Sequence, residues 1–275
     1  LSDGTYTIRD FAQKPPNQTV VFGMKGPARA LAKLMTMQPL ARAAKGLEAR
    51  PDEIEGVADL KVKLDMPLAD RLDAGDIRYA ITGGVQDMSI DQVAGSSLQN
   101  ATMKLSLEPG LMLLTGKGVF DGLPANFDLR KAEGQEPQMA LSVVLDEATR
   151  KRKGLDFGDA LTGPLQADIH PNADPRDQRY DVDIDLTPVR IKDLLPGWQK
   201  PAGTPGRVSF SWDPADKGGG TLDKLKLESG PVSLRGTVTI GPDNKLRKAM
   251  MDVISLSPGD DFQGVFEPLG NGWKV

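Results

Sequence analysis

Two stretches of the chain repeat one pattern, and this repeat constrains the fold more than any other feature of the sequence. The stretches are Leu105-Ser-Leu-Glu-Pro-Gly-Leu-Met-Leu-Leu-Thr-Gly-Lys-Gly-Val-Phe120 and Leu225-Lys-Leu-Glu-Ser-Gly-Pro-Val-Ser-Leu-Arg-Gly-Thr-Val-Thr-Ile240. An offset of 120 positions aligns six identical residues, which are Leu105/Leu225, Leu107/Leu227, Glu108/Glu228, Gly110/Gly230, Leu114/Leu234 and Gly116/Gly236. Each copy predicts a strand, a tight glycine turn, and a returning strand whose second glycine permits a bend or a bulge. The repeat predicts a protein built by stacking similar β units.

The composition narrows the classes of partner. Hydrophobic residues make up 39% and aromatic residues 5% of the 275 residues, which predicts a thin or extended fold rather than a thick globule. The formal charge is −4, and this mild acidity argues against a nucleic-acid partner, because phosphate binding needs concentrated Lys and Arg. The chain has no Cys, so disulfide bonds and thiolate chemistry are excluded.

The sequence carries no evident membrane or targeting segment. No stretch approaches the roughly 18 apolar residues that are needed to cross a bilayer. No signal peptide opens the chain either. Because both ends have the character of strands, we expect the sequence to be a fragment of a longer protein, for which a missing targeting segment carries little information.

Alternation of apolar and polar residues with a period of two predicts antiparallel strands through most of the chain. Leu60, Val62 and Leu64, for example, alternate with charged residues. Strands recur every 8 to 12 residues or so, without the helix after each strand that a parallel sheet requires. The predicted helices are few and short, and they are Pro27–Met37, Leu40–Leu47, Asp146–Lys153 and a helical turn near Ile191–Leu195.

The predicted fold is mainly β with a few short α-helices. Its strongly curved antiparallel sheets are built from repeated hairpins and meanders, in an elongated, groove-like architecture. We expect three divisions, which are a partial β unit plus helix over 1–55, a β-meander unit over 56–160, and further β-meander units over 161–275.

The sequence predicts neither a metal site nor a cofactor. His170 is the only histidine, and a zinc site with one His and no Cys would need three carboxylates, which is rare. Asp181, Asp183 and Asp185 alternate along one strand, where their carboxylates diverge from a common centre instead of converging on a calcium ion. We interpret them, together with the polar turn that contains Asp174 and Asp177, as a solvated outer surface.

No catalytic motif is present, and we predict that the chain is not an enzyme. Gly218-Gly219-Gly220 lacks the Gly-Lys-Ser/Thr and the helix of a phosphate-binding loop, so it predicts a flexible hairpin turn. Asp260-Asp261 could form the carboxylate pair of a glycoside hydrolase only with a cleft around it. Lys151-Arg-Lys153 predicts a solvated helix face, with contact to lipid headgroups as the alternative.

One apolar face on each strand is the remaining feature that suggests a function. Two or three helices cannot cover so many strands, so we expect a partly exposed apolar concavity, and such a surface usually marks a binding site. The residues predicted to line it are Leu60, Val62, Leu64, Leu105, Leu107, Val182, Ile184, Val208, Phe210, Leu225, Leu227, Val238 and Ile240.

Several stretches resemble the central region of the YhdP-like branch of the bacterial AsmA/TamB superfamily, also called AsmA-like proteins. Near the C-terminus the resemblance is carried by Gly197-Trp-Gln-Lys-Pro-Ala-Gly203, the Leu-x-Leu-Glu-Ser-Gly-Pro-Val-x-Leu-x-Gly run that ends at Gly236, Gly259-Asp-Asp-Phe-Gln-Gly264 and Gly270-Asn-Gly-Trp273. Earlier in the chain it is carried by Ala30-Leu-Ala-Lys-Leu-Met35, Gln38-Pro-Leu40 and Met66-Pro-Leu68.

The resemblance implies a long periplasmic protein that is anchored to the bacterial inner membrane by an N-terminal helix. Its repeated units would form a β-groove that moves phospholipid towards the outer membrane and so serves outer membrane biogenesis. The expected function is therefore lipid transport by acyl-chain shielding, with phospholipid, adjacent repeats of the parent chain and the inner membrane as partners. Two alternatives stay open, namely an envelope scaffold that binds proteins through its sheet edges and a carbohydrate-active enzyme.

Overall fold

The computed structural model describes residues 2–9, 11–12, 14–38, 40–45, 50–93, 96–172, 179–195, 197–216, 218–243, 245–269 and 272–274. The chain divides into two compact units, Leu1–Ala140 and Leu141–Val275. The predicted divisions after residues 55 and 160 do not coincide with this boundary.

In the first unit, each strand pairs antiparallel with the next strand in the chain. The strands are β1 (Ser2–Arg9), β2 (Asn17–Pro27), β3 (Ile54–Pro67), β4 (Arg78–Val93), β5 (Ser96–Glu108), β6 (Leu111–Phe120) and β7 (Leu123–Ala132). Helices α1 (Ala28–Leu34) and α2 (Ala41–Ala44) separate β2 from β3, and short 3-10 segments occupy Pro51–Glu53 and Ala74–Asp76. Helix α1 packs against β2 and β3, and α2 contacts β6 and β7.

Period-two alternation decides which side chains of the first unit are buried. On β3, Ala58, Leu60 and Val62 are buried, and the charged residues between them are exposed. The same alternation on β5 buries Ala101, Met103, Leu105 and Leu107. The apolar side chains of β3 and β5 are therefore packed in the interior of the first unit.

The second unit contains a large antiparallel sheet and a small one. The large sheet has the order β8-β10-β11-β14-β15-β16-β17-β18-β19, and the small sheet has the order β13-β12-β9. The strands of the large sheet are β8 (Gln138–Leu145), β10 (Leu165–Pro171), β11 (Tyr180–Asp185), β14 (Arg207–Pro214), β15 (Gly220–Ser229), β16 (Val232–Ile240), β17 (Leu246–Ser255), β18 (Phe262–Leu269) and β19 (Gly272–Lys274). The small sheet consists of β9 (Leu161–Thr162), β12 (Arg190–Lys192) and β13 (Gln199–Lys200), and helix α3 (Glu147–Arg152) and a 3-10 segment (Gly158–Ala160) precede β9.

The predicted fold class, mainly β with curved antiparallel sheets built from hairpins and a few short helices, is confirmed. Helix α3 is the clearest local success, because the carboxylate of Asp146 caps it by accepting a 2.7 Å hydrogen bond from the backbone N–H of Thr149. The helical turn predicted near Ile191–Leu195 is wrong, since Arg190–Lys192 is a strand whose partners, β9 and β13, the sequence analysis did not detect.

Both copies of the repeated pattern form hairpins, but their turns differ by one residue. In the first copy Glu108 faces Leu111, so Pro109 and Gly110 make the turn, and Gly110 takes the positive φ of 84° that a turn of this kind requires at its second central residue. In the second copy Ser229 faces Val232, and Gly230 is instead the first central residue, with a φ of 58°. The order Pro-Gly in one copy and Gly-Pro in the other accounts for the shift. As a result Leu105 faces Leu114, whereas the aligned Leu225 faces Gly236.

Candidate functional site

The register of the large sheet in the second unit places unbroken apolar rows on one of its faces. One row crosses from β8 to β18 through residues that face each other in turn, which are Val143, Ala167, Ile184, Val208, Leu227, Leu234, Ile254 and Phe262. A second row, displaced along the strands, contains Trp212, Leu222, Val238, Ala249 and Phe266. Lys224 has a φ of 53° at a register shift between β14 and β15, and this bulge keeps Leu222 and Leu225 on the same face.

The opposite face of this sheet is polar, and its side chains bind one another. Asp183 accepts from Arg207 Nε at 2.9 Å, and Asp181 accepts from the hydroxyl of Ser211 at 2.6 Å. Lys226 Nζ lies 2.7 Å from a carboxylate oxygen of Glu228. The two faces therefore differ in chemistry along the whole run of strands from β11 to β15.

The small sheet covers one part of the apolar face. We call β9, β12 and β13, together with Val189, Leu195 and Trp198, the cap. Its side chains form a buried cluster with residues of the large sheet. The cap contributes Leu161, Val189, Ile191 and Trp198 to the cluster, and the large sheet contributes Leu165 and Val232, with Leu145, Ile184, Val208 and Leu227 packed against them.

Two buried cations tie the cap to its surroundings through backbone carbonyl groups. Lys200 Nζ donates to the carbonyl oxygens of Leu186 at 2.6 Å and of Val189 at 2.8 Å. Arg150 donates to the carbonyl oxygens of Gly163 at 2.5 Å and of Leu161 at 3.1 Å. Burial lowers the pKa of Lys200 from its ordinary value, and the nearby carboxylate of Asp185 acts in the opposite direction. These contacts make the cap a defined substructure rather than a loose loop.

Beyond the cap, the apolar face stays partly exposed. Phe210, Trp212, Leu222, Leu225 and Val238 are half-buried and do not belong to the cap cluster among the residues that the structure describes. They lie on the adjacent strands β14, β15 and β16. We call these five residues the open strip.

The thirteen residues predicted to line a groove fall into two environments. The first unit holds five of them, and Leu60, Val62, Leu105 and Leu107 are 8% exposed or less, while Leu64 is half-buried. The others lie on the large sheet of the second unit, where Val182 is buried and the rest are half-buried, namely Ile184, Val208, Phe210, Leu225, Leu227, Val238 and Ile240. The structure thus brings the second group together on one face of the large sheet, and it buries four of the five residues of the first group in the first unit.

Sequence reasoning missed Trp212 and Leu222 of the open strip and the whole cap. Trp212 alternates with Phe210, which was a usable signal. Leu222 lies across the bulge from Leu225, so period-two counting assigns it to the wrong face. The strands of the cap have only two or three residues, too few for any periodicity to show.

The other residues considered from the sequence have structural surroundings. His170 is exposed and faces Asp181 in the ladder between β10 and β11. Asp260 accepts from the backbone N–H of Ser257 at 2.8 Å and so stabilises the turn between β17 and β18. Gly218 and Gly219 lie in the turn between β14 and β15, as predicted, and Gly220 begins β15. Lys151 is exposed on α3, and Asp174 and Asp177 lie outside the described residues.

A depression of about 740 Å³, lined by both charged and apolar residues, lies beside the ends of β11, β14, β15 and β16. Its carboxylates include Asp168, Asp183, Asp185 and Glu228. Each of them already has a partner, as in Asp185, whose Oδ1 accepts from the backbone N–H of Thr187 at 2.8 Å. Hydrogen bonds from Thr187 lower the pKa of Asp185. These contacts link side chains and backbone groups at the ends of neighbouring strands.

The described residues contain neither a metal site nor a membrane-spanning helix, and no known protein matches the chain. Across the described ranges, no three His, Asp or Glu side chains lie together in a way that could hold a metal ion. No helix in the described part of the chain is long and apolar enough to span a bilayer. Comparison of the chain with protein-family models, curated proteins and solved structures finds no match.

Proposed function

We propose that the chain is a non-enzymatic lipid-binding and transport module, in which the open strip of the second unit shields the acyl chains of a phospholipid. One observation supports the proposal most directly. The apolar rows on this face of the large sheet continue beyond the cap, where their side chains are only half-buried. A contiguous apolar surface on a protein commonly marks a binding site. Hydrocarbon is the ligand that fits such a surface, because it has no polar groups that need hydrogen-bond partners.

The energetics support a tail as the ligand. Each methylene that leaves water for an apolar surface contributes about 0.8 kcal/mol, so two long tails bind without any polar contact. Two tails end to end span a hydrocarbon core of about 30 Å, so one tail is about 15 Å long. Since neighbouring strands are about 4.8 Å apart, one tail crosses about three strands. Strands β14, β15 and β16 supply that length, and the headgroup stays in water, so selectivity among headgroups should be low.

The proposal is confined to the second unit. Leu60, Val62, Leu105 and Leu107 are enclosed in the core of the first unit, and a tail would reach them only if the packing around them opened. The first unit then acts as a folded spacer within the groove-forming array.

The cellular setting follows from the resemblance to AsmA-like proteins. We propose a periplasmic location between the inner and outer membranes, with an anchor in the inner membrane supplied by a segment outside this chain. Adjacent repeats of the same parent chain would continue the apolar surface, so that lipid passes along it.

The test compares two neighbouring residues that face opposite sides of β16. Val238→Asp places a carboxylate in the open strip, whereas Thr239→Asp places one on the polar face, opposite Lys248. We expect phospholipid to co-purify with the wild-type and Thr239→Asp proteins and to be lost from Val238→Asp, as measured by mass spectrometry of extracted lipid. Circular dichroism should show the same strand content in all three proteins. Lipid retained at the wild-type level by a folded Val238→Asp protein would refute the proposal.

One observation favours a second candidate, an envelope scaffold that pairs with a partner strand. Within the described residues, β1 has only β2 as a neighbour, and most of its side chains are exposed. An unpaired strand edge is a template for strand addition. Val238→Asp separates the two candidates, because edge pairing depends on β1 and is insensitive to a charge on β16.

A further inference from the structure

The cap lies on the same apolar face that we assign to lipid. Its residues Ile191, Val189 and Trp198 are 2%, 0% and 6% exposed, and they share a cluster with the apolar row of the large sheet. Val208 on β14 is packed against this cluster, and Phe210, two residues further along the same face, is not part of it. The boundary between covered and open surface therefore runs between these two residues.

We propose that the cap is a specificity element that keeps acyl chains away from Val208 and Leu227 and so confines them to the open strip. This inference rests on the proposed lipid-binding function. The cap side chains pack against Ile184, Val208 and Leu227 and so occupy the space that an acyl chain over these residues would need.

The width of the open strip follows from strand geometry. Phe210 and Trp212 are successive inward positions on β14, and each inward position covers about 6.6 Å of strand, so the two cover about 13 Å. Carbon atoms of packed chains approach to about 4 Å, so this width is sufficient for the two chains of a diacyl phospholipid side by side.

Polar contacts keep the cap in place without closing the open strip. Lys200 and Arg150 hold backbone carbonyls at Leu186, Val189, Leu161 and Gly163, all on the cap or its connections. None of these carbonyl groups belongs to β14. A substitution that disrupts the apolar contacts between the cap and the large sheet should therefore uncover Val208, while β14 keeps its pairing with β11 and β15.

The experiment uses phosphatidylglycerol vesicles whose acyl chains carry a photoreactive diazirine, with adducts mapped by mass spectrometry on the full chain. In the wild-type protein we expect adducts on Phe210, Trp212 or Val238 and none on Val208 or Leu227. Ile191→Asp places a carboxylate in the buried cluster and should produce adducts on Val208. Arg190→Asp changes the adjacent, exposed residue of β12 and should keep the wild-type pattern.

Amide hydrogen exchange shows whether the cap is released and whether the large sheet stays folded in each variant. In Ile191→Asp the amides of β12 should lose protection, and those of β14 and β15 should keep it. Equal labelling of Val208 and Phe210 in the wild-type protein would overturn the cap proposal and leave lipid binding intact. A released cap without adducts on Val208 would also overturn it. A complete lack of adducts on the open strip would refute the proposed function itself.

Discussion

Replacing Gly236 with Ala tests why both copies of the hairpin keep a second glycine. A Cβ at Gly236 would lie 2.1 Å from the carbonyl oxygen of Met250 and 2.9 Å from the Cα of Met251. A Cβ at Gly116, the aligned glycine of the first copy, would lie 2.4 Å from the carbonyl oxygen of Thr102. Both obstacles are backbone atoms of the neighbouring strand, so no side-chain rotation relieves them.

The size of the effect follows from these distances. Carbon and oxygen atoms in contact between strands lie about 3.3 Å apart, so β17 would have to move away from Gly236 by about 1 Å. Overpacking of this kind costs about 1–3 kcal/mol, and a ladder hydrogen bond that is lost costs about 1 kcal/mol more. We therefore expect Gly236→Ala to lower the free energy of unfolding by about 3 kcal/mol.

Gly26→Ala is the matched control, because a Cβ at this strand position meets no atom within 4 Å. Its effect on the free energy of unfolding should stay within about 1 kcal/mol and should be stabilising, since Ala restricts the unfolded chain. Urea unfolding of Gly26→Ala is followed by circular dichroism, because Gly26 lies in the first unit. Unfolding of Gly236→Ala is followed by tryptophan fluorescence, because Trp198, Trp212 and Trp273 all lie in the second unit. If Gly236→Ala unfolds at the same urea midpoint as the wild-type protein, the strands accommodate a methyl group without cost, and the packing explanation of the repeat is wrong.

Two further predictions concern ionisable groups. Burial lowers the pKa of Lys200, so between that lowered value and the ordinary 10.5 the unfolded chain binds a proton that the folded chain has released. The free energy of unfolding of the wild type, measured relative to that of Lys200→Met, should therefore rise with pH across this window. Urea unfolding in alkaline buffers measures this difference, and a difference that falls or stays constant would contradict the prediction. Hydrogen bonds from Thr149 lower the pKa of Asp146, so its capping contribution is complete above 3.8 and is lost as the pH falls through the lowered pKa. Asp146→Ala should accelerate amide exchange in α3 several-fold at neutral pH, and an equal acceleration at acidic pH, where the carboxyl is protonated in the folded protein, would contradict this reasoning.

Local patterns explain why so much of the β architecture can be predicted. The alternation of Leu60, Val62 and Leu64 with charged residues defines a strand with two unlike faces, because successive side chains of a strand point in opposite directions. The glycines at 110 and 230 mark turns because they take positive φ angles.

The hairpin register shows where a sequence alignment stops being informative. Leu105 and Leu225 align in sequence, yet the order of Pro and Gly in the two turns gives them different partners. The pairing shifts by two residues, so both leucines still face the apolar side. For these two leucines the face of the sheet was therefore predictable from the sequence, and the cross-strand neighbour was not.

The sequence by itself determined that the strands have an apolar face, because period two is a local property of the chain. Only the tertiary structure decided which of these faces is open. Leu107 and Leu227 occupy equivalent sequence positions, but the first is completely buried, and the second is half-buried beneath a cap whose strands are too short to leave a pattern. Exposure depends on what packs over a residue, and the alternation within a strand carries no information about which other segment of the chain lies on its apolar face.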